Sequence, residues 1–429
     1  MSRKMKDSGM AWIGDIPEEW NIAKIKHHLR RSELRNPRNV RLLSLYREYG
    51  VIPKDSRSDN HNVASENTDN YKYVRPGDFV INKMKAWQGS VAVSEYEGIV
   101  SPAYYVYVFL YKTIHKRYFH YLLRSCYKDE FRRLSGGLRV GQWDLPSDAF
   151  ENTLFLLPPC IEQVAIAKSL DKKCAEIDKV VEKTRESIEE YKKLKQAVIT
   201  EAVTKGVRDP RPMKNSDDQW WPHLANSIVM SRVGLHYDII LGKMLSSSPS
   251  NESDDLLPYY CAANIHFNKI DRALNLKKMW FSQEEASKLS VQKGDLLVVE
   301  GGAGAGGSAV VASTDGIVCI QNSVMIVRSR NCNSAKYLMY VVESLVKRGY
   351  IDITCNKATI PHFTKDKLSN TRIPMWESSE QQEIADYLDA KCEEIDRLIS
   401  KKEQLIAELE AYKKSLIYEY VTGKKEVPA

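Results

Sequence analysis

A 17-residue string returns 218 positions later in this chain: EQVAIAKSLDKKCAEID at Glu162–Asp178 reappears as EQQEIADYLDAKCEEID at Glu380–Asp396, with 11 positions identical and no gap. The same offset carries Asn152-Thr153 onto Asn370-Thr371 and Val203-Thr204 onto Val421-Thr422. Weaker echoes fill both halves in order. Gly77-Asp78 recurs as Gly294-Asp295, Gly98-Ile99-Val100 as Gly316-Ile317-Val318, and Tyr118/Tyr121 as Tyr337/Tyr340. Even MKDSGMAW (Met5–Trp12) has a counterpart in MKNSDDQW (Met213–Trp220). Solenoid repeats run to roughly 20–50 residues, so a period this long is a duplicated domain. Chance similarity of two helices would not place echoes in order along each half. The 429 residues suffice for two separate cores.

Each copy ends in a long helical segment. In the first, Ile177, Val181, Thr184, Ile188 and Tyr191 recur at spacings of four and three, the signature of a heptad seam. Leu405, Leu409, Tyr412 and Leu416 predict the same seam in the second. Ser378-Ser379-Glu380-Gln381 reads as a capping box, and Gly206 and Gly423 stand where a helix-ending glycine belongs. Between the helices lie short β-branched and aromatic runs bounded by turn residues: Tyr71–Val80, Ser90–Val93, Ile99–Val108, Asp295–Val299, Ala309–Ala312 and Ile317–Val327. Helical patches fall at Lys116–Arg132 and Ala335–Lys347. The expected class is α+β, with two tandemly repeated α/β globular domains, each followed by a long helix, the two helices pairing as an antiparallel coiled coil. The segments are a first domain at 1–158, a central helix at 159–206, a second domain at 207–377 and a C-terminal helix at 378–425.

Charge separates these parts. The net charge of +7 includes only +1 from residues 160–206 and −4 from 379–424, which leaves +10 on the remaining chain. Positive charge therefore concentrates on the globular domains, where a polyanion would bind. The eight cysteines form no C-x-x-C pair, so they predict reduced, partly buried thiols rather than a metal site. No apolar run approaches the roughly 20 residues of a membrane helix, and no signal peptide is visible, which predicts a cytoplasmic protein without a membrane partner.

Motifs of chemistry are missing or sit in the wrong place. Gly302-Ala303-Gly304-Ala305-Gly306-Gly307 matches G-x-G-x-x-G after a strand, but it runs into Ser308-Ala309-Val310-Val311-Ala312 rather than a helix. A hairpin is expected there, not a dinucleotide site. There is no G-x-x-x-x-G-K-[ST] loop, and Leu157-Pro158-Pro159-Cys160 lacks the leading amide or acid of an adenine-methyltransferase motif. No catalytic residue and no metal ligand is assigned. Candidate nucleic-acid contacts are Asn82, Lys83, Lys85, Trp87 and Gln88 after one strand, and Arg139 and Gln142 in a glycine-rich loop. In the second copy they are Gln321, Asn322, Lys357 and Thr359, with Lys357 falling on Arg139 at the 218 offset. Amides can pair with adenine and cations with guanine, which is why these residue types are singled out. A coiled-coil scaffold with two protein-binding domains remains the alternative.

The doubled E-Q-x-x-I-A-x-x-L-D-x-K-x-x-E-I-D helix resembles the helical regions of type I restriction–modification specificity subunits. KDSGMAWIGDIPEEW (Lys6–Trp20), PGDFVINK (Pro76–Lys83) and the Ser-Pro after Gly98-Ile99-Val100 resemble other stretches of that family. The resemblance spans the chain, although Gln219-Trp220-Trp221-Pro222 departs from Ile16-Pro17-Glu18-Glu19-Trp20. It implies a non-catalytic subunit whose two target-recognition domains read the halves of a bipartite double-stranded DNA site. It further implies that the helices dock two methyltransferase subunits, with restriction/translocase subunits joining the complex. The candidate docking residues are Glu162, Gln163, Ile166, Leu170 and Ile177, with Glu380, Gln381, Ile384, Leu388 and Ile395 in the second copy. No cofactor is expected on this chain; the complex would use S-adenosylmethionine for adenine methylation and ATP with Mg for restriction.

Overall fold

The structure, a computed structural model, describes residues 3–37, 40–47, 49–56, 67–137, 143–208, 211–272, 276–314, 316–355 and 361–427. The chain forms two compact units, Met1–Thr184 with Glu403–Ala429, and Arg185–Lys402. Each unit thus holds one α/β domain together with parts of both long helices, Cys160–Lys205 and Ser378–Val421.

The duplication seen in the sequence is a duplication of topology. Unit 1 contains a four-stranded antiparallel sheet in the order Leu29–Arg31, Tyr104–Phe109, Phe79–Asn82, Val91–Val93. Unit 2 repeats it as Tyr237–Leu241, Val324–Ser329, Leu296–Val299, Ser308–Val310. Successive side chains on a strand point to opposite faces, and here both faces are covered. Phe79 and Ile81 join the core that includes Tyr118, Phe119 and Leu122, while Val80 joins a second core with Leu43, Val51 and Val106. Leu296 and Val298 against Leu297 and Val299 divide in the same way. The opening hairpins also match, Met5–Asp7 on Asp15–Pro17 and Met213–Asn215 on His223–Ala225.

Several expected strands are shorter than their apolar runs. Tyr71–Val80 is broken into Lys72–Val74 and Phe79–Asn82 by a turn in which Gly77 adopts φ 90° and the Asp78 carboxylate accepts the Arg75 N–H at 2.9 Å. The second copy builds the same turn with Gly294 at φ 91° and Asp295 accepting the Gln292 N–H at 2.7 Å. Ala335–Lys347 is one helix as expected, whereas Lys116–Arg132 is two, Lys116–Cys126 and Lys128–Leu134. The glycine loop is a hairpin: Leu296–Val299 and Ser308–Val310 pair antiparallel, and the Gly306 N–H donates to Val299 O at 2.9 Å. It opens no helix and so offers no pyrophosphate cradle.

The capping box is not formed. Ser378 lies inside the helix, its Oγ donates to Asn331 O at 3.5 Å, and Glu380 is engaged by Arg211 instead. Gly206 and Gly423 do end their helices in the left-handed region, at φ 81° and 72°.

Within unit 1 the segment from Ile166 to Cys174 shares a core with Leu416, Tyr420 and Val421, and Lys413 Nζ meets Asp178 at 2.6 Å. Within unit 2 the counterpart pair is Lys195 Nζ with Asp396 at 2.7 Å. Low-numbered positions of one helix facing high-numbered positions of the other make each pairing antiparallel. The seam differs from the expected one in the C-terminal helix, because Leu405 and Tyr412 are exposed at 41% and 51%. Leu409 and Leu416 line it as expected, joined by Ile399, Lys402, Ile406 and Lys413, so the stems of two lysines take positions that only apolar residues were expected to hold. Among the described residues, no helix is long and apolar enough to cross a membrane. All eight cysteines are free, and Cys126, Cys174, Cys319, Cys355 and Cys392 are buried.

Candidate nucleic-acid interface

The repeated helix motif acts first inside each unit. Gln163 is fully buried; its Oε1 accepts the His115 N–H at 2.8 Å, and its Nε2 donates to Thr113 O and Pro158 O. Gln381 does the same with the Ser334 N–H, Asn333 Oδ1 and Trp376 O. Glu162 receives both Nη atoms of Arg3, at 2.6 and 2.9 Å, and the indole N–H of Trp20. Arg211 repeats the contact on Glu380 at 2.7 Å, with its guanidinium over the Trp376 ring. Asp171 accepts from Tyr121 and Arg117, and Asp389 from Tyr340 and Lys336. Ile166, Leu170, Ile384, Leu388 and Ile395 are buried and Ile177 is half-buried, all in the cores or seams of their own units. These ten side chains lie in the contacts that fasten each domain to its helices and the helices to each other within each unit. The signal was present in sequence: Arg3 and Arg211 stand two residues before the repeated Met-Lys.

The loop after Phe79–Asn82 gathers most of the first domain's candidate contacts. Asn82 is buried, with its amide against the Tyr104 hydroxyl. Lys83 Nζ pairs with Asp144 at 2.7 Å, which holds the lysine charged above its ordinary range. Lys85 is exposed. Trp87 donates its indole N–H to Met84 O and packs edge-on to Trp143 at 5.5 Å, with Gln88 half-buried beside it. The Leu145 N–H donates to Lys83 O at 3.0 Å and Gly136 bridges Asp144, so this loop abuts both flanks of 138–142. Arg139 and Gln142 themselves lie outside the described residues, as do Lys357 and Thr359. In the second domain Gln321 Nε2 donates to Asn322 Oδ1 at 2.7 Å and Ser323 Oγ donates to Gln321 Oε1 at 2.6 Å. Both amides are half-buried and partly engaged with each other, which limits what they offer a ligand.

The structure adds a cluster that sequence reading missed. Around Tyr105, Arg31 places its guanidinium 4.8 Å from the ring centroid and Lys72 its ammonium 5.2 Å from it. Lys72 also donates to Tyr104 O at 2.5 Å, and Arg35 donates to Asn70 at 2.6 Å. Burial, with Arg31, Lys83 and Arg35 close by, pushes the Lys72 ammonium down to about 8, opposed by Glu33. Arg31 Nε is shielded from solvent without a hydrogen-bond partner among the described residues. Among the described residues, four cations thus face three carboxylates, Glu33, Asp144 and Asp148, in a patch whose centre is half-buried and whose rim, Arg35 and Glu33, is exposed. Such a field suits an anion with several oxygens. Lys83 was a candidate from its loop; Arg31, Arg35 and Lys72 come from other strands and loops, which is why no local motif announced them.

A family model described as "Type I restriction modification DNA specificity domain" matches residues 31–190 and 238–411. The putative type I restriction enzyme MjaX specificity subunit of Methanocaldococcus jannaschii is 22% identical, covering 97% of this chain and 96% of the relative. Among solved structures, one described as "Structural basis underlying complex assembly and conformational transition of the type I R-M system" aligns with a TM-score of 0.72 at 19% identity, covering 96% of this chain and 99% of the other. The HsdS subunit from Thermoanaerobacter tengcongensis aligns at 0.56 and 18% identity, covering 96% and 98%. At these identities the structures establish the fold, while the family match covers both copies of the duplicated unit. The chain belongs to the specificity-subunit family of type I restriction–modification systems.

Proposed function

We propose that each unit reads one half of a bipartite duplex DNA target and that the chain itself performs no chemistry. The observation that carries this reading is the duplication: two domains of one topology present different side chains at the same loop, two lysines and a tryptophan at 83–88 and glycines at 301–307. A duplicated scaffold with diverged loops is what two unlike half-sites require. Arg31, Arg35 and Lys72 around Tyr105 would hold phosphates, and loop residues such as Lys83 would reach base edges. Two methyltransferase subunits would bind S-adenosylmethionine and methylate adenine, and restriction/translocase subunits would use ATP with Mg, in the cytoplasm. The purified chain is expected to transfer no methyl group and cut no DNA. Adding its methyltransferase partner and S-adenosylmethionine should give site-specific adenine methylation. Methyl transfer by the chain alone would refute the division of labour.

Lys72 supplies a pH test of the phosphate cluster. Below about 8 its ammonium is charged; above that the free protein loses the charge. Duplex binding at fixed ionic strength is therefore expected to weaken between pH 7 and 9, and Lys72→Met to remove most of that dependence. Folding stability should move the other way. The folded pKa lies below the unfolded one, so the charged lysine opposes folding and stability rises as pH climbs through about 8 toward the ordinary lysine value. Fluorescence anisotropy on parent and variant decides it; equal pH slopes would remove Lys72 from the interface.

A further inference from the structure

We infer that the residue following the third sheet strand selects bases of opposite hydrogen-bonding character in the two domains, a donor at Lys83 and an acceptor at Glu300. This rests on the proposal that the units read DNA. The two positions are equivalent by backbone, not merely by offset. Phe79–Asn82 and Leu296–Val299 hold the same place in their sheets, paired to Tyr104–Phe109 and Val324–Ser329. The next residue in each case gives its carbonyl to one returning segment: Leu145 N–H to Lys83 O at 3.0 Å, Phe363 N–H to Glu300 O at 2.6 Å. The residue before each of those amides is the side-chain neighbour, Asp144 for Lys83 and His362 for Glu300.

At this one place the charge of the leading residue is reversed. In unit 1 a lysine stands beside an aspartate; in unit 2 a glutamate stands beside a histidine. Gly301 makes room for that histidine, since a Cβ there would lie 2.8 Å from His362 Nδ1, whereas unit 1 has Met84 after its lysine. An ammonium carries three donors, and Asp144 takes one of those on Lys83, leaving others for an acceptor. The Glu300 carboxylate is half-buried and has no hydrogen-bond donor among the described residues. Burial raises its pKa and His362 opposes that rise. A carboxylate held in this way seeks an N–H. In the major groove, lysine suits guanine O6 and N7, and a carboxylate suits an exocyclic amino group. The first half-site should contain a guanine at the position Lys83 reaches, and the second a cytosine or adenine amino group at the position of Glu300.

The test is to map methylated adenines in cells expressing the chain with its methyltransferase partner, for the parent, Lys83→Gln, Glu300→Gln and Glu300→Asp. Each glutamine variant is expected to relax one base position, by roughly tenfold in preference, in one half-site only, and the two variants to affect opposite halves. Glu300→Asp keeps the acceptors and should keep the base, and the parent's base there distinguishes cytosine from adenine. An unchanged motif in both glutamine variants would overturn the inference. So would changes in the same half-site, or uniformly weaker methylation without altered preference. A parent with no divided motif would instead refute the reading on which it rests.

Discussion

Gln381→Leu is expected to lower the stability of its unit by roughly 3 kcal/mol, and Gln163→Leu to do the same in the other unit. Neither side chain has any exposure, and each makes three hydrogen bonds. Leucine fills the space but leaves the Ser334 or His115 N–H, at the start of a domain helix, without an acceptor. It also strips a donor from Trp376 O or Pro158 O, where the chain turns into its long helix. Each buried group left unpaired costs about 1–3 kcal/mol. Urea denaturation measures the loss, and hydrogen exchange locates it: 331–338 should exchange faster in Gln381→Leu, and 113–119 in Gln163→Leu. A loss under about 1 kcal/mol in both variants would mean that the glutamines do not seat the domains on their helices.

The double variant Arg31→Ala/Lys72→Ala is expected to lower affinity for duplex DNA about tenfold to a hundredfold at low salt. It should also flatten the dependence of log affinity on log salt by about 2, since each lost phosphate contact removes roughly 0.9 from the slope. Base preference should stay the same, because phosphates carry no sequence. Lys193→Ala, at an exposed position of the central helix, is the control and should change neither quantity. A double variant with the parent's salt slope would place the DNA elsewhere on the domain.

What sequence could reveal depended on how local each feature is. The duplication, the two helices and their glycine ends were readable because each rests on a contiguous string or a short period. The C-terminal seam was misplaced at Leu405 and Tyr412 because only apolar residues were counted. Lys402 and Lys413 bury their stems there, and Lys413 carries its charge to Asp178. The break at Gly77-Asp78 was hidden inside an apolar run, although its recurrence at Gly294-Asp295 was visible. That the repeated glutamate and glutamine bond to their own domains was not legible, because a motif on a helix does not say which face is covered. That Arg31, Arg35 and Lys72 gather near Lys83 could not be read from sequence, since pairing between strands brings those residues together.

Mapping methylated adenines in cells that express this chain with its methyltransferase partner tests the central claim most directly. The account predicts one motif made of two unlike short sequences, with intervening base pairs that are not read. A continuous undivided motif, or two identical halves, would contradict it.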